Sequence, residues 1–275
     1  MIKKKKNSYE LKYFCSKKKY YQNKIVFLDI FRSIKYIQFL GKSKYTKFMI
    51  EIPYVTKHIN LDVSADELKQ SFSKRVRAKI NKASREDIQF NLYDLHTDSS
   101  IKEYINYCND HLRSKKLLYR LSEKYVTSFL GNYIVTYASY GSQKLVMHGY
   151  FVDFHSNTVY IHESASQFRT LDETNNEITP DLISRANNFL HYEDMLYFQN
   201  LGMKIYDFGG YAIDTTDTSI LNINRFKDGF RGKLIEQNHY ESYMFYLINC
   251  IYHQIKPCVV KMRLRKLRNM FTNSK

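Results

Sequence analysis

The sequence predicts an α/β (mixed α+β) fold: a mixed, mostly antiparallel sheet flanked by helices. Three observations predict it. A capped helix with one apolar face opens the organised region, three β-rich runs then follow one another, and a long helical crossover leads to a further short strand that ends on paired glycines. Antiparallel runs interrupted by one such crossover make a mixed sheet with helices on both faces.

Ser64 and Glu67 have the spacing of a capping box. Leu68, Phe72, Val76, Ile80 and Ala83 then recur every three or four residues, which predicts one helix from Ser64 to Asp87. Its other face carries Lys74, Arg75, Arg77, Lys79, Lys82 and Arg85, a solvated face by default and a phosphate-binding one as the minority reading. Ile88 to Leu95 alternates as a strand. Ser100 opens a helix through Arg113, and Ser122 opens another.

"NYIVTYASY", "KLVMHGYFVDF" and "TVYIHESAS" form an antiparallel meander, with the last two joined at Ser156 and Asn157. Gln167 to Pro180 is polar and long enough for a functional loop. Leu182 to Gly202 resumes helical spacing and stops at a C′ glycine. "MKIYDF" follows as a strand broken by Gly209 and Gly210.

With 275 residues and 44 % apolar content, the chain can bury a sizeable core. The net charge of +16 is uneven. Residues 1–24 carry nine lysines against Glu10, and residues 242–275 carry seven cations and no acid, so a nearly neutral domain at 25–241 sits between basic tails. Such tails suit anionic lipid headgroups or non-specific phosphate contacts; specific nucleic-acid recognition is not expected.

Cys15, Cys108, Cys250 and Cys258 have no metal-ligand spacing, so reduced thiols and no metal are expected. The basic Met1–Lys6 is not followed by the apolar run of a secretory signal. The apolar run Tyr243 to Tyr252 falls well short of the ~20 residues of a membrane span. It suits a terminal core helix or an interfacial one. A cytoplasmic protein, peripheral at the inner membrane face, is the expectation.

Three segments carry more specific information. Arg77, Ile80, Lys82 and Ala83 read Arg-x-x-Ile-x-Lys-Ala; Gly202 precedes Tyr206 to Gly210 in a helix-Gly-strand unit ending Tyr-Asp-Phe-Gly-Gly; Phe226, Lys227, Gly229 and Phe230 read Phe-Lys-x-Gly-Phe. In this order and spacing, over roughly residues 60–240, they resemble the Fem-type branch of the GNAT acyltransferase superfamily.

The resemblance implies a GNAT-like single domain whose fourth and fifth strands splay. An activated acyl donor would lie in the gap, and an amine acceptor would approach from the other side. "TVYIHESAS" would be the fourth strand and "MKIYDF" the fifth. Family members use acyl-CoA or aminoacyl-tRNA, and their acceptors include cell-wall precursors and amino sugars. The GNAT pyrophosphate loop, Gln/Arg-x-x-Gly-x-Gly/Ala, is absent after the fourth strand; the nearest substitute is Ser184 to Asn188, where Arg185 adds charge to a helix start.

Acyl transfer to an amine needs a deprotonated nucleophile and a stabilised oxyanion. With Ser156 and Asn157 as the turn, residue 155 pairs with 158, and His148 and Glu163 share one face of the hairpin as alternative bases. His162 falls on the other face as a packed histidine. Asp207 is either an acceptor-orienting carboxylate or a cap on the Gly209-Gly210 turn.

Lys227 suits an oxyanion or a donor phosphate, and Tyr211 is a weaker acid. The implied binding residues are Ser164, Arg185, Asn187, Gly209, Gly210, Tyr211 and Phe226. The expected reaction moves an acyl group from acyl-CoA to a nucleotide- or lipid-linked amino sugar of a bacterial surface polysaccharide. The alternatives are aminoacyl-tRNA-dependent modification of a peptidoglycan precursor, or a non-catalytic membrane- or nucleic-acid-binding module.

Overall fold

The computed structural model describes residues 2–6, 9–13, 34–39, 46–127, 130–154, 156–167, 178–243 and 246. The chain forms two compact units, one of residues 54–236 and one of residues 1–53 with 237–275. In the second, strands β1 (Ile2–Lys6) and β2 (Tyr9–Tyr13) pair antiparallel, and β2 pairs parallel with β3 (Ile34–Phe39). The late apolar run and the basic tail after it lie outside the described residues, apart from Tyr243 and Tyr246.

The larger unit begins within β4 (Ile50–Asn60). Helices α1 (Ala65–Ser71) and α2 (Lys74–Ala83) lead to β5 (Ile88–Tyr93), α3 (Asp98–Ser114) and α4 (Glu123–Thr127). Then come β6 (Tyr133–Tyr140), β7 (Gln143–Asp153), β8 (Thr158–Ser166), α5 (Pro180–Asn200), β9 (Ile205–Gly210), α6 (Thr218–Asp228) and the start of β10 (Lys233–Glu241). The strands lie in the order β4-β9-β8-β7-β6-β5, antiparallel throughout except for the parallel pair β8–β9.

The helix expected from Ser64 to Asp87 is two helices. Phe72 is extended, and the Ser73 side chain accepts from Val76 N–H to cap α2. Arg77 turns back to donate 2.7 Å bonds to the Gln70 and Phe72 carbonyls, which α1 would otherwise leave without partners. The apolar face survives the break: Leu68, Phe72, Val76, Ile80 and Ala83 are all buried. α3 starts earlier than Ser100, because Thr97 is its cap and Ser100 returns the bond to Thr97 N–H.

α1, α2 and α5 cover one face of the sheet. Their side chains meet Tyr150, Val152, Val159 and Tyr206 in one cluster, and Ala138 and Val146 in another. α3 covers the opposite face, where the Tyr104 and Tyr133 hydroxyls share a 2.8 Å hydrogen bond.

Candidate functional site

Two departures from regular pairing shape the site. β8 and β9 pair only at Thr158–Ile205, Val159–Tyr206 and Tyr160–Asp207, so six residues of β8 and three of β9 run on without pairing to each other. A gap therefore opens after Tyr160 and Asp207. The second departure is a bulge at His162, between the pairs Tyr150–Ile161 and Gly149–Glu163.

The bulge changes the faces expected from alternation. The hairpin pairs Asp153 with Thr158, not 155 with 158, and beyond the bulge His148 faces Ser164 while Gly149 faces Glu163. His148 and Glu163 consequently lie on opposite faces, because each one-residue slip exchanges the faces. His162 and Glu163 share the α3 side, with His162 Nδ1 at 3.8 Å from Glu163 Oε1.

On that side Glu163 is largely buried and accepts a hydrogen bond from Tyr119. Burial pushes its carboxyl up to about 7, against the lowering effects of the Tyr119 bond and the Lys115 charge. A carboxyl there exchanges protons near neutrality, which suits a general base. His162 shares a 2.6 Å bond with the Tyr125 hydroxyl and a 3.1 Å bond with that of Tyr133.

At the other edge of the gap, Gly209 has φ +70°, a conformation that costs other residues about 1–2 kcal/mol, and it turns the chain out of β9. Lys227 on α6 holds the turn by donating to the Gly209 carbonyl at 3.3 Å and the Gly210 carbonyl at 2.6 Å. Two of its three N–H groups are so occupied, leaving one for a ligand. Burial lowers its ammonium to about 8; Asp207 works against that shift and Lys57 adds to it.

Asp207 is fully buried. It accepts from Thr56 and from Gly209 N–H, and meets His58 Nε2 at 3.2 Å, which is the turn-capping arrangement. Tyr211 donates to Asp228, which also pairs with Lys57. Phe226 packs within 5.4 Å of the ring centres of His191 and Phe230. Gly229 lets α6 approach α2, since a Cβ there would lie 2.7 Å from Val76 Cγ2.

A cavity of about 720 Å³ separates α2, α5 and α6. Arg75, Lys79, Arg225 and Arg231 line it with Ser73, Ser184 and Phe226, opposed by Asp228. Lys79 donates a 2.6 Å bond to Ser184, and burial and Arg75 hold its ammonium below the usual lysine range. The helical cations most able to meet an anion are thus Arg75 and Lys79. Arg77 is spent on α1, and Lys82 lies 3.8 Å from Glu86.

The expected phosphate role of Arg185 meets a different geometry. Its guanidinium is buried and held by both Glu86 oxygens, at 2.5 and 2.8 Å, and by Asp181. Asn187 points to the sheet, 3.0 Å from His148 Nε2, while Ser164 is exposed on β8.

His148 belongs to a buried network rather than to the α3 side. Its Nδ1 lies 2.8 Å from Asp194 Oδ2, Tyr150 bonds that carboxylate and Tyr206, and Tyr206 bonds His191 at 2.7 Å. Burial, with the charges of His148 and Lys227, holds His191 well below the usual histidine range, so it is neutral. His148, His191 and Asp194 have donor atoms within 4.8 Å of one another and form the candidate metal-ligand group among the described residues, although hydrogen bonds already occupy both His148 nitrogens.

Several solved structures share this architecture. FemX superposes with a TM-score of 0.61 at 14 % identity, covering 90 % of this chain and 85 % of FemX. The chain has a Fem/GNAT-like fold. The C-terminal domain of a putative lysylphosphatidylglycerol synthetase from Agrobacterium fabrum gives 0.56 at 9 % identity, covering 87 % of this chain and 79 % of that one. L-PGS from Bacillus licheniformis gives 0.53 at 12 % identity, covering 76 % and 68 %. At these identities the likeness is one of fold. No family model and no curated protein matches the sequence.

Residues that sequence reasoning passed over include Thr56, Lys57 and His58, which lie on a strand, β4, that was not anticipated. Arg225 and Arg231 were also missed, though their cationic spacing around the Phe-Lys-x-Gly-Phe motif was visible.

Proposed function

We propose that the protein is an acyltransferase that moves an acyl group from an activated, phosphate-bearing donor to an amine. The observation that carries this reading is the gap after Tyr160 and Asp207, with a near-neutral carboxyl on one strand and a lysine ammonium at the turn of the other. The donor arm lies along α5 and α6 with its phosphates in the basic cavity, and its carbonyl enters the gap. The acceptor ammonium approaches from the α3 side and gives a proton to Glu163. The amine then attacks the carbonyl, the remaining Lys227 N–H stabilises the oxyanion, and collapse of the tetrahedral intermediate breaks the bond between the carbonyl carbon and the donor's sulfur or oxygen. The departing thiolate or alkoxide takes the second proton from the attacking nitrogen and leaves as thiol or hydroxyl. Holding both reactants in place supplies much of the acceleration, which can reach ~7–11 kcal/mol for well-oriented pairs.

Acyl-CoA is the first donor to test and a nucleotide- or lipid-linked amino sugar the first acceptor, with the basic tails resting on an anionic membrane face. A second reading, aminoacyl-tRNA as donor, is favoured by two observations. FemX, L-PGS from Bacillus licheniformis and the C-terminal domain of a putative lysylphosphatidylglycerol synthetase share the fold, and the GNAT pyrophosphate loop is absent.

The experiment is thermal melting of the full chain with acyl-CoA and with aminoacyl-tRNA, followed by product masses from a panel of amino sugars. Binding at a hundredfold excess over Kd stabilises the fold by about 2.7 kcal/mol. Stabilisation and a product with acyl-CoA support the first reading, and with aminoacyl-tRNA alone the second. No stabilisation by either and no product refutes both.

A further inference from the structure

The segment between α3 and α4 is unlike the rest of the surface. Lys115, Lys116, Leu117, Leu118, Tyr119 and Arg120 are six consecutive exposed residues, with Leu118 100 % exposed, Leu117 46 % and Tyr119 41 %. No acidic residue occurs between Asp110 and Glu123. Isolated exposed leucines are ordinary; two beside a tyrosine, flanked by cations on both sides, make a patch with a direction.

The segment is shaped rather than loose. Lys116 takes a left-handed φ of 56° and turns the chain away from α3, and Leu117 N–H returns a 3.0 Å bond to the Leu112 carbonyl. Arg120 then ties the far side by donating to the Tyr119 carbonyl at 2.6 Å and to that of Leu117. The two leucine side chains stand out in solvent, while the Tyr119 ring meets Tyr125 edge-on with centroids 6.3 Å apart and turns its hydroxyl in to Glu163.

We infer that this loop is a membrane-docking tip whose partner is an anionic lipid bilayer. Leucine tips sink below the headgroups, a tyrosine ring suits the interface, and cations meet the lipid phosphates. Each Lys or Arg at such a surface raises partitioning about five-fold. The loop is distinct from the basic tails, and it is continuous with the site, since Tyr119 bonds Glu163. Docking would hold the face of the candidate base against the headgroup plane, where a membrane-borne amine could reach it. That last consequence rests on the transferase reading; the docking itself does not.

These 275 residues contain no tryptophan, so Leu118→Trp in the whole chain gives a reporter at the tip alone. With vesicles of phosphatidylcholine and phosphatidylglycerol, its emission is expected to shift to shorter wavelength and to be quenched by lipids brominated in their tails. The double change Leu117→Ser with Leu118→Ser is expected to lower vesicle partitioning about ten-fold or more at an unchanged melting temperature. An emission that stays at its aqueous position overturns the proposal, whether the protein fails to sediment with the vesicles or sediments through other segments. Capture of a protein partner by this loop without vesicle insertion overturns it as well. None of these readouts requires acyl transfer, so loss of the docking surface and loss of the transferase reading are separately visible.

Discussion

Replacing Glu163 by glutamine separates the stability of the fold from the chemistry. Burial raises the Glu163 carboxyl from 4.5 to about 7, so the folded protein binds this proton more tightly than the unfolded chain. The stability linked to it is fully present below pH 4.5 and is lost as the pH rises through 7. A gap of this size corresponds to about 3 kcal/mol at pH 8 and about 1 kcal/mol at pH 5. Glutamine keeps the volume and never ionises. The variant's advantage over the parent therefore grows by about 2 kcal/mol between pH 5 and pH 8, or ~4–8 °C in melting temperature for a unit of this size. Melting curves of both proteins at half-unit pH steps measure it directly. If the two curves run parallel from pH 5 to pH 8, Glu163 is not the buried, proton-holding group described above. In the same variant, acyl transfer is expected to fall about 10²–10⁴-fold.

Lys227→Met is expected to lower kcat about 10²–10³-fold. With base and ammonium near 7 and 8, kcat/KM of the parent rises through pH 7 and falls above 8, and Lys227→Met removes only the falling limb. Reversing charge with Lys79→Glu is expected to raise KM for the donor and leave stability nearly unchanged, as read by initial rates and melting. Arg185→Ala does the opposite: leaving Glu86, a quarter exposed and still 3.8 Å from Lys82, without its main partner costs about 1–3 kcal/mol, while KM of the molecules still folded stays near the parent value.

The parts of the fold that were legible beforehand are those with strong local periodicity. The β6–β8 meander, the long α5 with Gly202 beyond its end, and the buried face from Leu68 to Ala83 follow from patterns of two or of three to four residues. α6 was not legible because its apolar residues do not form one buried face: Asn224 is its buried residue, Phe226 packs partly on the core, and Ile220 and Ile223 are exposed. β4 was missed because Pro53 interrupts its pattern.

The break at Phe72 was concealed because the buried period continues through it, and the caps that stabilise it use a serine and an arginine that also read as ordinary helix residues. At the site, the glycine pair and Lys227 stood out by motif. The partners of Arg185 come from residues 4 and 99 positions away, and nothing local signals that Glu86 will neutralise it. The bulge at His162 is likewise invisible to alternation. One inserted residue decides that Glu163 faces α3 while His148 is sealed against α5, and no residue type nearby announces it.

Amide hydrogen exchange across Tyr160–Ser166 and Asp207–Gly210 tests most directly whether a donor occupies the opening between β8 and β9. Without ligand, the amides of β8 past Tyr160 that face the opening should exchange faster than those of the paired residues Thr158–Tyr160 and Ile205–Asp207, while Gly209, whose N–H bonds the buried Asp207 carboxylate, stays slow. Added donor, whether acyl-CoA or aminoacyl-tRNA, should slow these opening-facing β8 amides. Exchange that is already as slow as in the paired segment, or that no donor changes, would contradict the account.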